Sequence, residues 1–150
     1  MAGPFWSHQG EGHRTEFGGL TSFIRATGDD TGGLFSVTET TMTQGGGPPL
    51  HVHEREDEAL VVLEGEYEVT VGSDTFTATP GAFVFAPRGI PHVLRARSGA
   101  ARHVTIISPP GYERFFPDMV EAGSKGPEAV AEVVARYGVK LLETPPGGNA

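Results

Sequence analysis

Cysteine is absent from the 150 residues. That excludes a disulfide framework and any thiolate ligand, so packing must hold the fold, and a metal would have to be taken by imidazole, carboxylate or water. Long apolar runs are missing as well: no stretch approaches the roughly 18 apolar residues that a membrane-spanning helix requires. The start, MAGPFWSHQG, lacks a basic end followed by an apolar segment. Basic residues are few, 11 Lys and Arg against 19 Asp and Glu for a net charge of -8. Nucleic acid and anionic membrane both need a basic footprint, so neither is an expected partner. The expectation is a soluble cytoplasmic protein. Its 22 Gly and 12 Pro outnumber nine Phe, three Tyr and one Trp, a balance that favours many short strands joined by turns.

One domain is expected at this length. Residues 1–19 are Gly-rich and polar with isolated aromatics (Phe5, Trp6, Phe17), and read as an N-terminal arm or loop. Residues 20–116 alternate β-type runs with turn signals: LTSFIRAT, LFSVTETTM, EALVVLEG, EYEVTV, DTFTAT, GAFVFAP, HVLRAR and HVTIIS, with Gly72-Ser73-Asp74 as a hairpin turn. Strands of this length and spacing imply a sandwich or a barrel. Residues 117–150 hold one amphipathic helix in SKGPEAVAEVVARYGV and a tail expected to fray at PPGGNA. There Pro127 suits the first helical position, Val130, Val133, Val134 and Tyr137 recur at helical spacing, and Gly138 suits the cap.

The octet HVHEREDE, residues 51–58, lies between GGGPP and the apolar run ALVVL. In a strand His51 and His53 point the same way and Val52 the other. Glu58 can fold back beside both rings through the polar turn ERED, and His92 follows the turn PRGIP at the mouth of another strand. A single His is most simply a surface or satisfied core side chain. Three imidazoles and a carboxylate on a β frame are instead what a divalent first-row metal accepts. Glu54, Glu56 and Asp57 read as a solvated turn, His8 and His13 as loop residues, and His103 receives no role.

These stretches resemble the paired motifs of the cupin superfamily. Gly45, His51, His53, Glu58 and Gly65 fit the first motif; Gly81, Pro87, Gly89 and His92 fit the second, except that Ala96 stands where the pattern has Asn. The resemblance implies an all-β double-stranded β-helix, a jelly-roll barrel with one C-terminal α-helix, in which His51, His53, Glu58 and His92 bind one divalent transition metal. Fe, Mn, Ni, Co, Cu and Zn all suit such a site. Taking His92 as inward directs Leu94 inward, and Phe83 with Phe85 on one strand face would then line a substrate pocket.

Beyond the motifs, GEGHRTEFGG, DDTGGLFSVTETT, SPPGYERFF and ARYGV resemble small bacterial cupins similar to quercetin 2,3-dioxygenase. This implies a dioxygenase opening a flavonol-like or other enolisable aromatic or polyketide substrate with O2, Glu58 serving as ligand and catalytic proton acceptor. Two other readings stay open. One is an aromatic polyketide cyclase or isomerase of secondary metabolism that works without O2; the other is a non-enzymatic small-molecule-binding module. A small-molecule partner is common to all three, and pairing into a homodimer is a further expectation.

Overall fold

Runs of Thr, Val, Ile and Phe that alternate with polar residues hide one face by pairing edge to edge. In the computed structural model, which describes residues 2–142, these runs form β1 (His13–Phe17), β2 (Leu20–Ala26), β3 (Ser36–Thr43), β4 (His51–His53), β5 (Asp57–Glu64), β6 (Tyr67–Val71), β7 (Asp74–Ala78), β8 (Phe83–Ala86), β9 (His92–Ala96) and β10 (Ala100–Ser108). Helices α1 (Phe115–Gly123) and α2 (Pro127–Arg136) and a last strand β11 (Val139–Leu141) follow. Two antiparallel sheets result, ordered β1-β2-β3-β10-β5-β8 and β11-β4-β9-β6-β7. Pairings between strands distant in sequence, β3 with β10 and β4 with β9, are those of a jelly roll, so the expected all-β barrel forms.

The turns follow from glycine. Val71 pairs with Asp74, leaving Gly72 and Ser73 as a two-residue tip with Gly72 at φ 61°. Gly65, between β5 and β6, has φ 75°, and a Cβ there would run into the Ala100 carbonyl. Inside the barrel Leu60, Val62, Tyr67, Val69 and Leu94 pack with Leu20 and Met42. Each such side chain contributes about 1.5–3 kcal/mol by leaving water. A second cluster of Ile107, Tyr112, Phe115, Val133 and Val139 joins the helices to the barrel.

The ends differ from expectation in three ways. The supposed arm supplies strand β1, which pairs with β2 across Gly18 and Gly19; Phe17 at its end packs edge-on against Phe115 at 6.2 Å. Phe5 and Trp6 remain exposed. The helix expected over the PEAVAEVVAR run is α2, with Pro127 in its first turn and Gly138 just beyond its end at φ 68°. A further helix, α1, precedes it, because Pro117 falls in that helix's first turn, where a missing N–H costs nothing. Finally, Val139–Leu141 pairs with β4. The fraying expected at PPGGNA lies outside the described residues.

Candidate metal centre

β4 is only three residues long, and its alternation buries His51 and His53 on one side with Val52 between them on the other. Register supplies the third ring: His51 stands opposite His92 across the β4–β9 pair. Ring centroids lie 4.9 Å apart for His51 and His53, 4.4 Å for His51 and His92, and 5.3 Å for His53 and His92. One nitrogen of each ring falls within 4.8 Å of the other two. Glu58 arrives from the opposite sheet on β5, its Oε2 2.8 Å from His92 Nε2 and its Oε1 3.4 Å from His53 Nε2. The turn before β9 is fastened to the start of β5 by Arg88, whose backbone N–H and guanidinium both bond to Asp57. All four residues that sequence reasoning grouped are therefore brought together.

Backbone carbonyls orient two of the rings. His51 Nδ1 donates to the Pro49 carbonyl at 2.8 Å, and His92 Nδ1 faces the Ile90 carbonyl at 3.3 Å. A carbonyl only accepts, so each proton sits on Nδ1 and each Nε2 turns a lone pair toward the cluster. Burial pushes His51 down to about 4, helped by His92 and His53 and opposed by Glu58. Burial alone would raise Glu58, but the close approach of His92 and the positive charge that the three imidazoles carry when protonated outweigh it and hold the carboxyl at about 2. For His92 burial lowers the pKa, yet Glu58 more than offsets it and the net shift is upward.

A divalent ion fits these donors. His92 Nε2 is buried and has no well-aligned hydrogen bond, although a carboxylate oxygen lies 2.8 Å away. A lone pair facing a carboxylate is unfavourable unless a proton or a cation stands between them. Three imidazoles with a carboxylate suit first-row divalent ions. Next to the cluster, His53 Nδ1 and Glu56 Oε2 are both buried without partners and 3.6 Å apart, just beyond hydrogen-bond reach. Glu56, read from sequence as part of a solvated turn, is in fact 7% exposed. It stands where a carboxylate fixes the orientation of a ligating imidazole.

The cluster opens on a cavity of about 310 Å³ with mostly apolar walls, among them Leu20, Leu60, Leu94, Tyr112, Phe116 and Val134. Leu94 was expected there. Phe83 and Phe85 were expected too, and both are elsewhere: they are 66% and 51% exposed on the outside of the barrel. The reason is register. In the β5–β8 pair Glu58 faces Ala86 and Leu60 faces Val84, and residues directly opposite share a face. Since Glu58 and Leu60 point inward, Val84 and Ala86 do so as well, and the two Phe rings must point out. His103 is the residue that sequence reasoning missed. It is buried and borders the cavity, and its phase with Thr105 and Ile107 was the available signal. His8 and His13 are exposed and are not members of the cluster.

Comparison with known proteins agrees with this picture. The cupin domain family matches residues 38–107. Quercetin 2,3-dioxygenase from Bacillus subtilis (strain 168) is 33% identical over 102 residues, covering 68% of this chain and 30% of that protein. The chain thus spans under a third of that relative's length. Among solved structures, ectoine synthase from P. lautus superposes with TM-score 0.61 at 27% identity, covering 91% of this chain and 86% of that one. The polyketide cyclase RemF from Streptomyces resistomycificus superposes with TM-score 0.60 at 25% identity, covering 71% and 79%. No helix among the described residues is long and apolar enough to cross a membrane.

Proposed function

This chain belongs to the cupin family, and from that premise we propose that it is a metal-dependent dioxygenase of the quercetinase type, acting on a flavonol-like or other enolisable aromatic. One observation supports this above others: an ionised carboxylate shares a buried cluster with three imidazoles at the edge of an apolar cavity. The 33% identity to a quercetin 2,3-dioxygenase points the same way.

The metal would supply Lewis acidity and one-electron chemistry toward an oxygen-donor substrate. His51, His53 and His92 would hold it through Nε2, their orientation set by the Pro49 and Ile90 carbonyls and by Glu56. Glu58 would be the fourth ligand, and its carboxylate, ionised at neutral pH, would serve as the proton acceptor for the substrate's enolic or phenolic hydroxyl. Leu60, Leu94, Tyr112 and Phe116 exclude water around the ring system and so strengthen the electrostatics within. Both atoms of O2 enter the product of such a reaction, so no external reductant is needed.

Oxygen uptake with quercetin, measured on metal-loaded protein, tests the assignment. Uptake should match quercetin loss mole for mole, and Glu58→Gln should lower kcat by at least about a hundredfold. Quercetin left intact under air would contradict it. The likeness to a polyketide cyclase favours a second reading, in which the same cluster polarises carbonyls while Glu58 moves protons without O2. Turnover of a poly-β-keto substrate under nitrogen would select that reading.

A further inference from the structure

A buried imidazole and a buried phenol are paired at the cavity wall, apart from the metal cluster, and the chemistry proposed above uses neither. His103 on β10 is 6% exposed and Tyr67 on β6 is wholly buried. Tyr67 Oη and His103 Nδ1 are 2.8 Å apart. Among the described residues this is the one hydrogen bond that Tyr67 Oη makes. The phenol's single proton therefore goes to Nδ1, and the imidazole carries its own proton on Nε2. Burial, partly offset by Glu58, pushes His103 down to about 4, so the ring is neutral near pH 7. His103 borders the cavity and Tyr67 does not, which puts Nε2–H on the cavity side.

The backbone is irregular at this position. Against β5 the register of β10 shifts between Arg102, opposite Glu64, and His103, opposite Val62. Leu63 is the extra residue of a bulge, a device that re-aims side chains beside functional sites. Against β3 the register is unbroken, His103 facing Thr40 and Thr105 facing Thr38. Thr40 is occupied by Ser22 at 2.9 Å. The outcome is a short polar strip of His103, Thr105 and Thr38 on an otherwise apolar wall. Ile107 lies opposite Glu58 on β5, and His103 is about 13 Å of strand away at roughly 3.3 Å per residue. A donor aimed into an apolar space is costly unless an acceptor meets it.

Resting on the dioxygenase reading, we infer that His103 is the distal anchor of the substrate. Its Nε2–H donates to a carbonyl or ionised hydroxyl oxygen on the far ring of a multi-ring aromatic whose near end carries the metal-chelating oxygens. Tyr67 is the positioning residue that holds this tautomer. A site built to hydrogen-bond a substrate group also discriminates against the analogue that lacks it.

Binding of two probes to zinc-loaded protein, in which the redox-inert ion prevents turnover, tests the anchor. The probes are quercetin and 3-hydroxyflavone, which keeps the chelating oxygens and lacks every other hydroxyl. Wild type should bind quercetin about tenfold more tightly, and His103→Gln should erase that preference while leaving the affinity for 3-hydroxyflavone within about twofold. In ¹⁵N spectra of the metal-free protein His103 should show protonated Nε2, and Tyr67→Phe should mix the tautomers. Equal loss of affinity for both probes in His103→Gln, or a proton on Nδ1 in wild type, overturns the anchor and leaves the dioxygenase reading intact. Failure of wild type to bind either probe overturns the substrate class and the anchor with it.

Discussion

Glu56 is the single residue whose neighbourhood changes the account of the site most. A carboxylate that is buried, unpartnered and 3.6 Å from an equally unpartnered His53 Nδ1 would gain a hydrogen bond from a small closing movement if His53 held a metal. Glu56→Ala should lower metal affinity about 10- to 100-fold with Glu58 and all three imidazoles still in place; Glu56→Gln, whose amide oxygen still accepts, should lose less. Competition with a chelator of known affinity measures both. His51 and His103 add a pH dependence. Each is neutral down to about 4 in the fold, against an ordinary value of 6.5. The unfolded chain takes up more protons across that interval, so the stability they provide is complete above about 6.5 and is lost as pH falls toward 4. His92, raised by Glu58, acts in the opposite sense, its contribution present below 6.5 and lost as pH rises through its folded value. Denaturation of the metal-free protein from pH 7 to 4.5 should show falling stability, with a shallower fall in His103→Gln. The four clustered residues were legible because His-x-His fixes a shared strand face and the two motif spacings brought in Glu58 and His92. Glu56 was not, and His103 was legible only in its strand phase, since burial of a carboxylate and pairing with Tyr67 are made by chain segments far away in sequence.

Secondary-structure elements show how parity decides function. β8 carries Phe83 and Phe85 on one face and Val84 and Ala86 on the other, and periodicity alone does not say which face is inside. Pairing with β5 decides it, because Leu60 opposite Val84 points into the core. The double substitution Phe83→Ser with Phe85→Ser should therefore leave metal affinity and turnover unchanged and alter stability by no more than about 1 kcal/mol, since exposed sites contribute little. Loss of metal or activity in that variant, by the same assays, would return those rings to the site. The helix α2 was readable from its valine spacing and its Pro and Gly ends. α1 was hidden by Pro117, which marks a break unless it falls in a first turn. β11 was hidden by its length, three residues that become a strand only because β4 offers an edge.

At the scale of the whole molecule, two sheets meet so that short strands bring three imidazoles and a carboxylate to one point. His51 and His53 come from β4, His92 from its neighbour β9, and Glu58 from β5 in the other sheet. β11 flanks β4 on its far edge, with Val139 opposite His53 and Leu141 opposite His51, so the C-terminal segment braces the strand that carries two of the imidazoles. The barrel end bearing the cluster is covered by α1 and α2, whose Met119, Val130 and Val134 complete the cavity. The sheet architecture was legible because alternation and glycine turns are local; the closure by helices was not, because it depends on which faces remain uncovered once the barrel exists. X-ray absorption on protein loaded with one equivalent of a divalent transition metal tests the centre itself. The account predicts one ion per chain, nitrogen and oxygen neighbours at about 2.0–2.2 Å with the outer-shell scattering of three imidazoles, and loss of the bound ion in His92→Ala. An ion retained in that variant, or a shell without imidazole scattering, would contradict it.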